Sequence, residues 1–132
     1  MPAPLVLDKS IPVALLGAAP GSDALLAAID SAPALAMGAP TTAAAACELI
    51  RRYGLGGRAF LSRFLEEHEV ASIPFDGKHW TAASDAFLRF GEGRHPANLD
   101  YGDCMTYATA RIAGRPLLFA GEDFARTDLA VV

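Results

Sequence analysis

Three aspartates in this 132-residue chain have the type and spacing to do chemistry: Asp8, Asp103 and Asp123. Asp8 closes an apolar run, Leu5-Val6-Leu7. Asp103 lies at the start of a helical pattern in Leu99-Asp100-Tyr101-Gly102-Asp103-Cys104. Asp123 follows a second apolar run in Leu117-Leu118-Phe119-Ala120-Gly121-Glu122-Asp123-Phe124. In a parallel α/β sheet the carboxyl ends of the strands share one edge, and ligand crevices form there. Carboxylates gathered at that edge repel one another unless a positive charge compensates them. Magnesium or manganese does so with oxygen ligands and retained waters, and can orient a water during phosphoryl displacement. Each acid also has a plain structural role. With Asp100 as N-cap, Asp103 falls at the third helical position, where an acid favours the helix dipole. Asp8 and Asp123 can likewise cap turns, so spacing alone leaves both roles open.

The elements that must position these acids read as alternating strands and helices. Leu5-Val6-Leu7 is a short buried strand, because it has no polar alternation. Asp8 and Ser10 offer cap oxygens to the next helix, and Pro12 suits its first turn. Gly21-Ser22-Asp23 introduces a helix over residues 24–30. A second strand spans residues 34–39, with Thr41 and Thr42 as cap candidates. A helix over residues 43–53 stops at Gly54 and Gly56-Gly57, and another covers residues 58–69. Residues 70–73 form a third strand and residues 78–90 a helix. A helix over residues 101–113 ends at Gly114, residues 116–119 form a fourth strand, and residues 129–132 a short fifth. This alternation implies an α/β class, with a parallel sheet covered on both faces.

Bulk properties fit one domain. The length suits a single core, and an apolar fraction of 52% argues for a folded globule. No apolar run approaches the roughly 18 residues of a membrane span, and the N-terminus lacks a signal-peptide pattern, so the expected location is cytoplasmic. Cys47 and Cys104 read as buried free thiols. The net charge of −4 gives no global attraction to nucleic acid.

The chain resembles the PIN-domain nucleases, and within them the VapC-type toxins of bacterial toxin–antitoxin pairs. The matching residues are Val6-Leu7-Asp8-Lys9-Ser10, the stretch Phe90-Gly91-Glu92-Gly93-Arg94-His95-Pro96-Ala97-Asn98-Leu99-Asp100-Tyr101-Gly102-Asp103-Cys104, and the tail from Leu117 to Asp128. The resemblance implies one PIN domain over residues 1–132, three-layered α/β/α with a central parallel sheet of four to five strands. It implies a magnesium-dependent endoribonuclease, manganese being the alternative ion, neutralised by a cognate antitoxin and forming a homodimer. Asp8 and Asp103 match the principal metal ligands. Asp123 matches the late acid that completes the pocket directly or through water.

The family's further acid, a Glu on the helix after the second strand, corresponds to Ala44. Glu48, one turn later on the same face, is either its substitute or a surface residue paired with Arg51 and Arg52. Lys9 stands where the family has a small hydroxyl residue. Lys9, Arg94 and His95 are the candidates for RNA contact, while Arg51, Arg52, Arg58 and Arg63 read as either an RNA-tracking face or solvated helix surface. The competing expectation is a catalytically impaired PIN domain that binds RNA or antitoxin, because Ala44 replaces the usual Glu.

Overall fold

The computed structural model describes residues 2–132. Strand β1 (Leu5–Leu7) is followed by helices α1 (Ser10–Leu16) and α2 (Ser22–Ser31). Strand β2 (Leu35–Gly38) leads into α3 (Ala39–Tyr53) and α4 (Leu55–Glu67). Strand β3 (Val70–Ile73) leads into α5 (Gly77–Phe90) and α6 (Tyr101–Ala113). Strand β4 (Leu117–Leu118) precedes a 3-10 helix at Asp123–Arg126.

The strands lie in the order β3-β2-β1-β4, all parallel. Because crossovers between parallel strands are right-handed, this order dictates the layers. The chain steps one way through β1, β2 and β3, which places the α1–α4 layer on one face. It then reverses past β1 to reach β4, which places α5 and α6 on the other. The two cores follow the strand alternation. Leu5 and Leu7 pack with Ile11, Leu49, Leu61 and Phe64, whereas Val6 between them packs with Phe90, Tyr107 and Leu117. The reversal beside β1 is the switch point of the sheet, and Asp8 stands at its carboxyl end.

Helix α6 is the most enclosed, burying Cys104 and every residue from Thr106 to Ala110. Its Thr106 hydroxyl bonds that of Thr41 on α3 at 3.0 Å. The C-terminal tail is fixed to it by Asp128, which accepts from the Tyr107 hydroxyl at 2.5 Å, from Arg89 at 3.1 Å and from Arg111 at 3.3 Å. Among the described residues no helix is long and apolar enough to cross a membrane.

Several local expectations change. The fifth strand reduces to one parallel bridge between Leu117 and Val131, because the tail turns on Asp128 before it can align. Helix α3 begins at Ala39, with Gly38 as N-cap and Pro40 in its first turn. Thr42 instead bonds back to the Gly38 carbonyl, and Thr41 is buried against α6. Cys104 is buried but Cys47 is exposed. Gly56-Gly57 does not separate two helices; α4 runs through both, and Gly54 alone makes the corner.

Gly57 permits that close hairpin. A Cβ there would lie 2.3 Å from the Leu49 carbonyl oxygen, whereas one at Gly56 would meet nothing within 4 Å. Gly57→Ala is therefore expected to destabilise the fold by about 1–3 kcal/mol in urea unfolding, through backbone overpacking. Gly56→Ala should be neutral or stabilising by about 0.5–1 kcal/mol through helix propensity. Equal midpoints for the two variants would rule out the close approach of α4 to α3.

Candidate active site

Asp8 leaves the last position of β1 and is only 4% exposed. Its backbone N–H donates to Leu118 of β4 and its carbonyl accepts from Ile11, so the sheet edge and the start of α1 hold it from both sides. One carboxylate oxygen, Oδ2, accepts from the Ser10 N–H at 3.1 Å. The other, Oδ1, is buried without a hydrogen-bond partner.

Asp103 faces it from the first turn of α6. There the cap expected from the sequence forms reciprocally: Asp100 Oδ1 accepts from the Asp103 N–H at 2.8 Å, and Asp103 Oδ2 accepts from the Asp100 N–H at 3.1 Å. The capping role and the site role therefore coexist, since each of Asp8 and Asp103 spends one oxygen on the backbone and keeps the other. Burial raises the Asp103 carboxyl to about 7, and the charges of Asp100 and Asp8 add to the rise against the bond from the Asp100 N–H. The nearby Cys104 thiol is pushed up to about 11 by burial and by the charges of Asp103, Asp100 and Glu92.

The expected three acids are only partly brought together. Asp123 is exposed at the start of the 3-10 helix, and it is not among the charges pressing on Asp103. Its segment is nevertheless tied to the site, because Ala120 N–H donates to Ser10 Oγ at 2.9 Å. Among the described residues no group of three or more His, Cys, Asp or Glu side chains stands close enough to hold a metal ion. Asp100, expected only as a cap, stands beside Asp103 as a further acid. The signal was available, since a reciprocal cap of two aspartates forces their carboxylates side by side.

Glu48 does not join the acids. Its carboxylate pairs with Arg51 and with Arg52, the latter at 2.8 Å, and these pairs hold its pKa below the usual carboxylate range. Its alternative as a paired surface residue is the observed one; Ala44 is half-buried one turn before it. Lys9 is half-buried beside Asp8 and makes no ion pair among the described residues. His95 Nδ1 accepts from the Ala97 N–H at 3.0 Å while its ring packs edge-on to Phe90. Arg94 lies over the Phe87 ring at 5.8 Å.

The donor set suits a hard divalent cation: one orphaned buried carboxylate oxygen, and a second acid that resists ionising for want of a positive charge. Without such an ion, the folded Asp103 titrates near 7 and the unfolded near 3.8. Between those values the native state holds a proton that the unfolded chain has released, so stability is greatest at the acid end and falls as pH rises toward 7. Urea unfolding in chelator should show that decline, and Asp103→Asn should flatten it. Parallel pH profiles for the two proteins would contradict it.

The PIN domain family profile matches residues 5–129. The chain is 41% identical to ribonuclease VapC36 of Mycobacterium tuberculosis over 126 residues, covering 95% of this chain and 91% of that protein. It is 38% identical to a ribonuclease VapC of Mycolicibacterium smegmatis, covering 97% and 99%. Among solved structures, Mycobacterium tuberculosis VapC20, described as a sarcin-ricin loop cleaving toxin, superposes with a TM-score of 0.79 at 16% identity, covering 97% of this chain and 98% of that one. VapBC2 of Rickettsia felis, bound to a DNA fragment from its promoter, superposes at 0.74 with 15% identity, covering 97% and 96%. A parallel sheet with an acid at the end of β1, a second on the first turn of α6, and relatives matched along nearly their whole length point one way: the chain belongs to the PIN-domain family and, within it, to the VapC ribonucleases.

Proposed function

We propose that the chain is the ribonuclease toxin of a type II toxin–antitoxin pair, hydrolysing RNA phosphodiesters with magnesium, or manganese, held by Asp8 and Asp103. The observation carrying this reading is the pairing of two half-committed carboxylates at the switch point of the sheet, one with a buried oxygen lacking any partner. Bound there, the ion supplies a polarised water and positive charge for the phosphoryl oxygens. Asp100 fixes the rotamer of Asp103 through the reciprocal cap. Asp123, tethered through Ala120 and Ser10, completes the pocket directly or through water. Lys9, Arg94 and the second ring nitrogen of His95 offer donors to RNA phosphates. Action in the cytoplasm accords with the absence of a membrane-length helix among the described residues.

A cognate antitoxin is the proposed partner, supported by the solved VapBC2 assembly and by a Klebsiella pneumoniae toxin–antitoxin complex of the same fold. A homodimer is the proposed assembly, consistent with the apolar side chains left exposed on the helices.

One observation favours a second reading, a catalytically impaired domain that binds RNA or antitoxin. Ala44 supplies no carboxylate, and Glu48 reaches the acids only by breaking two ion pairs. Purified protein, free of antitoxin, is expected to cleave RNA in magnesium and to stop in chelator, with Asp8→Asn and Asp103→Asn each slowing cleavage by about 100-fold or more. Glu48→Gln should change the rate by less than about two-fold, as for an exposed pair, whereas Ala44→Glu should raise it. RNA binding without cleavage, with cleavage gained in Ala44→Glu, would establish the impaired reading.

A further inference from the structure

We propose that Asp100 is a positioning residue of the acid pair: besides capping α6, its free carboxylate oxygen accepts from water held on a divalent cation at Asp8 and Asp103. This rests on reading that pair as a metal centre. Capping alone leaves part of the residue unexplained. Asp100 Oδ1 accepts from the Asp103 N–H at 2.8 Å, and its other oxygen takes no protein donor among the described residues. Asparagine and serine cap a helix as well as aspartate does, so the cap does not ask for the charge.

A second cap in the same chain shows how a purely structural one is built. Asp76 caps α5 through the same reciprocal arrangement, with His79 at the third helical position where α6 has Asp103. Its Oδ2 pairs with the Lys78 ammonium at 3.0 Å. Both helix starts offer the same dipole to an acid, so the dipole does not separate them. At α6 the third position carries another carboxyl, and no cation answers the two. Although the chain has eleven lysines and arginines, Asp8, Asp100 and Asp103 make no ion pair among the described residues.

Three carboxyl groups thus each commit one oxygen to the backbone and keep the other. The oxygen Asp8 keeps is buried in a residue only 4% exposed, and it independently marks the place as built for a ligand. Asp100 is also the third acid the fold brings to the pair. Ala44 has no carboxylate, Glu48 is held by Arg51 and Arg52, and Asp123 is exposed. Because no three acidic side chains close on one point among the described residues, Asp100 acts one water further out. Magnesium suits that arrangement, since it takes one or two carboxylates and retains several waters. Groups beyond the direct ligands orient them and tune affinity for the ion.

The test titrates the full-length protein with Mn²⁺ and reads the free ion by its electron paramagnetic resonance signal. Wild type, Asp100→Asn, Asp100→Ser and Asp103→Asn are compared, with urea unfolding in chelator alongside. Asp100→Asn and Asp100→Ser keep the cap, so both are expected to unfold no earlier than wild type. Both should nevertheless bind Mn²⁺ about ten-fold more weakly. Wild-type affinity in these two variants overturns the proposal and leaves Asp100 a cap. So does unfolding of both at lower urea, since the charge then serves the helix. Failure of the underlying metal reading looks different. Wild-type protein that takes up no Mn²⁺, or takes it up equally after Asp103→Asn, removes the metal centre and the proposal with it. Uptake lost in Asp103→Asn but indifferent to Asp100 keeps the metal centre and removes only the role of Asp100.

Discussion

A buried carboxylate with one unpartnered oxygen is the constraint around which this molecule is arranged. An isolated ion taken from water into a protein interior costs several kcal/mol even after relaxation. Asp8 accepts that position because β1 is central, with β2 on one side and β4 on the other, and its end faces the start of the most enclosed helix. The first turn of α6 then brings in a second acid, which burial above all, with the charges of Asp100 and Asp8, discourages from ionising. Each also serves the fold with one oxygen, Asp8 at the start of α1 and Asp103 in the cap of α6. The oxygen each keeps free is of the kind a hard divalent cation takes as a ligand.

The surroundings are rigid where the acids need it. Helix α6 is held by the Thr41–Thr106 bond on one side and by the Tyr107–Asp128 bond toward the tail. Because Tyr107 stands one turn beyond Asp103, the tail anchor restrains the same helix that aims the acid. The helical hairpin α3–α4 is close-packed through Gly57, which keeps Ala44 and Glu48 in a fixed relation to the sheet. Within it Glu48 is satisfied by its arginines, and Ala44, one turn before it, carries no carboxylate.

What the sequence disclosed follows the range of the interactions involved. The strand ending at Asp8, the reciprocal cap at Asp100 and Asp103, and the stop at Gly114 are set by neighbours within a few residues, and each was readable. The α/β class followed from strict alternation of elements. The fifth strand was not readable, because its pairing depends on where Asp128 docks against α5 and α6. Thr41 reads locally as a cap candidate, whereas its hydroxyl partner, Thr106, lies 65 residues away. Gly56-Gly57 reads as a break by propensity, yet tertiary contact with Leu49 overrides it. Asp123 follows a strand, and the short 3-10 turn that carries it, with its side chain exposed, has no signal in the strand–helix alternation. The nearness of Asp100 to Asp103 follows from the same reciprocal cap, which sets the two carboxylates side by side.

The bond from Ala120 N–H to Ser10 Oγ spans 110 residues and closes the sheet edge beside Asp8. It also bears on the order in which the chain folds. Until β4 has paired, one edge of β1 is open and the start of α1 lacks the bond from Ala120. Long-range parallel pairings of this kind form late, after their loop-closure cost is met. The seat of Asp8 is thus complete only once the segment through Ala120 has paired with β1 and the start of α1.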